Sequence, residues 1–155
     1  MLKNLSPLLT PELLKILCEM GHGDEIVIAD GNFPAASMND RVVRLDGHGG
    51  VAVLRAVMSV IPLDTYAEPN AVLMETVPGD DPEPPIWAEF AAVLKDAEGD
   101  AVRMGQVERY AFYERAKKAY AVIATGENAL YANLILKKGV IKEADSLDVS
   151  CHACK

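Results

Sequence analysis

The chain has 155 residues, half of them apolar but only 6% aromatic, and its formal net charge is −8. That suits one domain with an aliphatic core. The negative field opposes a phosphate backbone, so nucleic acid is not an expected partner, and the absence of any bilayer-length apolar run or basic amphipathic segment argues against a membrane.

The N-terminal "MLKNLSPLLTPELL" lacks the apolar region and cleavage site of a signal peptide. The three cysteines, Cys18, Cys151 and Cys154, are odd in number and lack framework spacing. Both features predict a protein of the reducing cytoplasm. Thr10 is an N-cap candidate with Pro11 at the first helical position, and Leu13, Leu14, Ile16, Leu17 and Met20 form a stripe at helical spacing. Gly21 is placed to stop that helix. "EIVIA", residues 25–29, is short and β-branched, as a buried strand should be, and Asp30 to Pro34 reads as a turn or loop.

"RVVRL" from Arg41 is the second strand candidate, followed by the loop "DGHGG" and an apolar helix from Val51 to Ile61, stopped by Pro62. "AVLMETV" from Ala71 is a third strand, and "PGDDPEPP", residues 78–85, an acidic surface loop. A helix over 86–95 buries Ile86, Phe90 and Val93 or Leu94. "AVRMGQ" reads as a strand, 108–118 as a charged helix, and "AYAVIAT" and "YANLILKK" as strands separated by "GENAL". Alternating helices and strands predict an α/β class, a single-domain layered α/β/α sandwich around a mixed sheet. The domain is expected over 1–141, with a polar tail over 142–155.

Several groups could do chemistry. His22, in a helix-to-strand turn, reads either as a structural residue or, because glycines flank it, as an uncovered acid or base. Asp30 ends a buried strand, where open α/β sheets bind ligands, but also fits an Asx-turn. "HGD" with Asp24 is too short a pattern to define a metal site. Arg109 and Tyr113 share a helix face, and Arg109 sits against the helix dipole in the first turn. On a strand, Tyr131 and Asn133 would alternate onto one side. "DGHGG" could cradle a phosphate at a helix start, though it lacks a P-loop lysine and a dinucleotide fingerprint. "CHAC" at 151–154 has no second ligand pair. An imidazole, carboxylate, guanidinium, phenol and amide without a cofactor motif suit acid–base chemistry on a small polyhydroxylated ligand.

The stretches "SPLLTPELLKILCEMGHGDEIVIADGNFPA" and "FYERAKKAYAVIATGENALYANLILKKGV" resemble the sugar mutarotase family of L-fucose mutarotase and D-ribose pyranase, over residues 2 to 141. The carrying motifs are the Gly-His-Gly-Asp turn, the strand ending in aspartate, and the Tyr-Ala-Asn strand followed by a glycine. "RYAFYERAKKAY" is similar to the fucose branch. The resemblance implies interconversion of the anomers of a free monosaccharide, L-fucose foremost, without metal or nucleotide. It implies His22 as proton donor and Asp30, Arg109, Tyr131, Ala132 and Asn133 as sugar contacts. It also implies a layered α/β fold and ring-like homo-oligomers, often of ten subunits. Neither "CHAC" nor His48 matches a family motif. The alternative is a non-catalytic sugar or sugar-phosphate binding module, with "DGHGG" taking the anion.

Anomer exchange needs the ring oxygen protonated while the anomeric hydroxyl loses its proton, and an imidazole can serve both directions. His22 is expected at the ring oxygen, with Tyr131 or a water as candidates at the anomeric hydroxyl. A strand advances about 3.3 Å per residue, so His22 and Asp30 stand roughly 20–25 Å apart. One sugar could touch both within one subunit only if the turns fold back sharply. A pocket shared between neighbouring subunits is the simpler expectation.

Overall fold

The computed structural model describes residues 2–142. Its elements in chain order are α1 (Pro11–Glu19), β1 (Glu25–Ala29), α2 (Ala35–Met38), β2 (Val42–Leu45), α3 (Gly50–Met58), β3 (Ala71–Met74), α4 (Pro85–Glu98), a 3-10 turn (Gly99–Ala101), β4 (Met104–Val107), α5 (Arg109–Lys118), β5 (Ala121–Thr125) and β6 (Leu134–Lys137). The strands form one mixed sheet in the order β2-β5-β1-β6-β3-β4. β1 pairs in parallel with β5, β5 with β2, and β3 with β4; β6 runs antiparallel to both β1 and β3. Five strands therefore point one way and β6 the other.

That topology sorts the loops. At one edge of the sheet lie the residues following β1 to β5 and those entering β6. At the other lie the residues preceding β1 and β3 and those leaving β6.

Both faces of the sheet are covered. Ile26 and Ile28 of β1 join one core with Leu13 and Leu17 of α1, Val53 and Val57 of α3, and Phe90 and Leu94 of α4. Val27 and Ala29 point the other way and join Ala35 of α2 with Phe112 and Ala116 of α5. The expected α/β/α sandwich is the observed one. "EIVIA" is β-branched throughout its middle because both of its faces are buried. Removing the fully buried Phe90 side chain would cost about 3–5 kcal/mol.

Local signals account for most boundaries. Thr10 Oγ1 accepts from the Leu13 N–H at 3.2 Å and Pro11 opens α1, as expected. The helix closes at Glu19 with Met20 extended, and Lys138 Nζ donates to the terminal carbonyls of Leu17 and Met20 at 2.7 and 2.6 Å. Gly21 takes the next position without a left-handed backbone; Gly23, at φ 86°, supplies that instead. Gly126 is required for a different reason: a Cβ there would stand 1.9 Å from the Asp46 carbonyl oxygen, so the loops leaving β2 and β5 could not meet.

The short helix α2 lies in a stretch to which the sequence assigned no element, and two expectations need correction. The strand expected from Ala101 starts only at Met104, because Gly99–Ala101 forms the 3-10 turn. Tyr131 and Asn133 are not on a strand, since β6 begins at Leu134. Tyr131 is left-handed at φ 59° with its carbonyl accepting from Trp87 Nε1 at 2.9 Å, and the Asn133 side chain pairs with Asp30. Those bonds hold the chain off the strand register until Leu134 meets Ile28.

Candidate active site

Asp30 leaves the C-terminal end of β1 and is buried, 6% exposed. Its N–H donates to Asn133 Oδ1 at 3.0 Å, and Asn133 Nδ2 donates back to Asp30 Oδ2 at 2.7 Å. Its Oδ1 also accepts from the Asn32 N–H at 2.9 Å, so the Asx-turn reading holds as well. Burial pushes the Asp30 carboxyl above its ordinary value, against the lowering pull of the Asn32 N–H, the Asn133 amide and the N–H groups of Phe33 and Ala132. Ala132 is fully buried, and its backbone N–H is directed at the Asp30 carboxylate.

The same edge carries the other expected sugar contacts. The Tyr131 hydroxyl donates to Asp80 Oδ2 and accepts from the Val77 N–H at 3.3 Å. The Asp80 carboxylate pushes the phenol above its ordinary value, while the Val77 N–H and the more distant Arg109 charge pull it down. Arg109 opens α5 after β4 and is held against the neighbouring aromatic ring. Its guanidinium lies 5.0 Å from the Tyr110 ring centroid and donates to the Tyr110 hydroxyl at 3.2 Å. That contact, more than any other, raises its affinity for the proton and offsets the unfavourable dipole position. Tyr113, one turn on, packs edge-on against Phe33 at 5.6 Å between centroids.

His22 is at the opposite edge, before β1. Its side chain is 47% exposed, as the flanking glycines lead one to expect, and its Nε2 lies 3.2 Å from Asp64 Oδ1. Asp24, the neighbour suggested by "HGD", instead accepts from the Gly21 N–H at 2.7 Å and closes the turn. Asp64 is the residue that the sequence reading missed. It is buried, 5% exposed, and its backbone is pinned by Lys137 and by the Asn70 side chain. Burial alone would raise its carboxyl, but the Tyr66 N–H and the His22 ring together hold it below the ordinary value. Tyr66 also meets the imidazole edge-on, with centroids 6.0 Å apart. An apolar cavity of 380 Å³ opens beside His22, between α1 and the chain leaving β6.

The structure thus divides the expected site. Asp30, Asn133, Ala132, Tyr131 and Arg109 share one edge of the sheet, and His22 with Asp64 forms a separate pair at the other. A cavity of 1110 Å³ has Tyr131 and Asp80 in its wall but neither His22 nor Asp30.

"DGHGG" does not form an open anion cradle. The Gly50 N–H at the start of α3 donates to Glu127 Oε2 at 3.0 Å, and Glu127 Oε1 accepts from the Ala129 N–H at 3.0 Å. A carboxylate of the protein already fills the place a phosphate would take. His48 is exposed on that loop, and its carbonyl accepts from the Gly126 N–H at 2.8 Å. The "CHAC" cysteines lie outside the described residues; Cys18 is free and exposed.

Known proteins share this arrangement of elements. Human fucose mutarotase is 51% identical over 146 residues, covering 90% of this chain and 94% of that one. The structure of the Streptococcus pneumoniae fucose mutarotase in complex with L-fucose superimposes with a TM-score of 0.87 at 45% identity, over 91% of this chain and all of that one. Bacillus subtilis RbsD complexed with D-ribose is more distant, with a TM-score of 0.67 at 25% identity over 92% of this chain and all of that one. The model of the RbsD / FucU transport protein family matches residues 3–141, and the chain belongs to that family.

Proposed function

We propose that this protein is a mutarotase that interconverts the α and β anomers of a free monosaccharide, L-fucose foremost, by acid–base ring opening and closure. The observation that carries the reading is the pairing of a half-exposed imidazole, His22, with the buried carboxylate of Asp64. An imidazole so anchored can protonate the ring oxygen and recover the proton on closure. Asp64 acts through it, fixing the orientation of the ring by its Nε2. The fucose-named relatives and the fucose-bound neighbour support fucose as the substrate.

In this reading Asp30, Arg109, Tyr131, Asn133 and the backbone of Ala132 hold the sugar hydroxyls. Asn133 is largely committed to Asp30, so its main effect is to aim that carboxylate. Because these groups and His22 stand at opposite edges of one sheet, the working pocket is composite, with His22 of one subunit facing the Asp30 edge of its neighbour. The protein is accordingly a homo-oligomer, a ring in which each contact repeats, and it works in the cytoplasm. Glu127 on the α3 N-terminus counts against the sugar-phosphate alternative.

The test is magnetisation exchange between α and β anomers by NMR, run on L-fucose, galactose, ribose and rhamnose. Protein-dependent exchange, fastest for fucose, is the expected result. Line broadening without exchange would instead mark a binding module.

A further inference from the structure

We propose that Asp80, on the acidic loop after β3, is a positioning residue that fixes the Tyr131 hydroxyl as a hydrogen-bond acceptor toward the sugar, an inference that rests on the reading that Tyr131 touches the sugar. The loop is built for this. Val77-Pro78-Gly79-Asp80 forms a tight turn in which the Asp80 N–H donates to the Val77 carbonyl at 3.1 Å. Proline at the second position and Gly79 at φ 105° are what such a turn demands. Its two ends then grip one phenol, the Val77 N–H donating to the hydroxyl oxygen and the Asp80 carboxylate accepting its hydrogen.

A phenol has one hydrogen and a small acceptor capacity. Here the hydrogen is committed to a carboxylate, a stronger acceptor than any neutral sugar oxygen. One acceptor direction is taken by Val77. What remains for a ligand is a lone pair. The phenol is held by those two bonds, and the Tyr131 backbone that carries it is anchored left-handed with its carbonyl on Trp87. A sugar hydroxyl must therefore donate to Tyr131. A substituent that can only accept is turned away at that position, which makes Asp80 a determinant of specificity at a distance from the sugar.

The experiment measures dissociation constants for L-fucose and its 2-, 3- and 4-deoxy and deoxyfluoro analogues. The proteins are wild type, Asp80→Ala, Asp80→Ser and Tyr131→Phe, each checked for an unchanged circular dichroism spectrum. Fluorine accepts weakly and cannot donate. In wild type, one fluoro analogue should bind more weakly than its deoxy counterpart, by roughly 2–10-fold for one neutral hydrogen bond. Freeing the phenolic hydrogen in Asp80→Ala should abolish that difference, and an ultraviolet titration should show the Tyr131 phenol ionising at lower pH. Asp80→Ser, whose shorter, neutral hydroxyl cannot hold the phenolic hydrogen as the carboxylate does, gives the same readout should the alanine variant fail to fold. If Tyr131→Phe weakens fucose binding while both Asp80 variants retain the wild-type discrimination, the role given to Asp80 is overturned. If Tyr131→Phe changes no affinity, the underlying reading of Tyr131 as a sugar contact falls with it.

Discussion

Asp30 and Asn133 hold each other at two points, the Asp30 N–H on Asn133 Oδ1 at 3.0 Å and Asn133 Nδ2 on Asp30 Oδ2 at 2.7 Å. Both residues are buried, and the pair joins the exit of β1 to the entry of β6. The amide gives the carboxylate one orientation, and the carboxylate fixes which way the amide faces.

Asn133→Ala removes both bonds and leaves the Asp30 N–H and one carboxylate oxygen without their partner. Stability should fall by about 1–3 kcal/mol, the cost of unsatisfied buried polar groups, as read from denaturant midpoints. Anomer exchange should fall as well, because nothing then aims Asp30. A variant with unchanged midpoint and unchanged exchange would mean the pair has no structural or functional weight.

The raised Asp30 carboxyl gives a pH signature. The folded chain holds the Asp30 proton more tightly than the unfolded chain does, so the group favours folding below its ordinary value of 3.8. That contribution is lost as pH rises through the higher folded value. Compared with Asp30→Asn, wild type should therefore gain relative stability between pH 7 and pH 4. Asp64, which is lowered, acts in the opposite sense and is common to both proteins. Melting temperatures across that range check the sign, and a difference that does not move with pH removes the claim of a raised carboxyl.

Much of the fold was legible because local chemistry and tertiary packing agree. "EIVIA" is a doubly buried strand in both readings, and Thr10 with Pro11 marks a helix start that the structure uses. The candidate residues could be picked out through motifs, and their division between two edges followed from the length of β1. What stayed hidden depended on contacts distant in sequence. Asp64 sits in "IPLDTYAEPN", which has no periodicity, and nothing local tells that loop to meet His22. The only trace was a carboxylate in an otherwise apolar run, followed two residues on by the N–H that it accepts. Glu127 gives no local signal in "GENAL", because its cap acts on a helix far earlier in the chain. Tyr131 was misread because β-propensity says nothing of a backbone forced left-handed by a tryptophan and an acidic turn.

His22→Ala should fold normally, since the ring is half-exposed, and should lose exchange by roughly 10²–10⁴-fold, the usual worth of one placed acid–base group. Asp64→Asn should lose less, because an amide oxygen can still hold the ring. Exchange at the wild-type rate in His22→Ala would make His22 a structural residue. Exchange at the wild-type rate in Asp64→Asn would remove Asp64 from the mechanism.

Residues 142–155 are predicted to be dispensable, because the sequence there is polar and aperiodic and the family model ends at Ile141. Truncation after Ile141 should change neither the exchange rate nor the sedimentation behaviour. A change in either would assign the tail a role.

The arrangement of the pocket makes the most demanding prediction. Within one chain, the five residues of β1 and the flanking turns separate His22 from Asp30, and among the described residues no loop at either edge brings them together. If the pocket is shared, His22→Ala and Asp30→Asn should each be inactive alone, since every pocket of either homo-oligomer lacks one group. Dissociating the two variants, mixing them and reassembling them adds two hybrid kinds of contact to the two parental ones. One joins two defective halves, and the other joins the intact His22 edge of one subunit to the intact Asp30 edge of its neighbour. With equal amounts and random assembly, about a quarter of contacts should be fully wild type, so a comparable fraction of the wild-type exchange rate should return. The mixing itself is checked by native mass spectrometry of differently tagged subunits. Confirmed hybrids without recovered exchange would place the whole pocket inside one subunit.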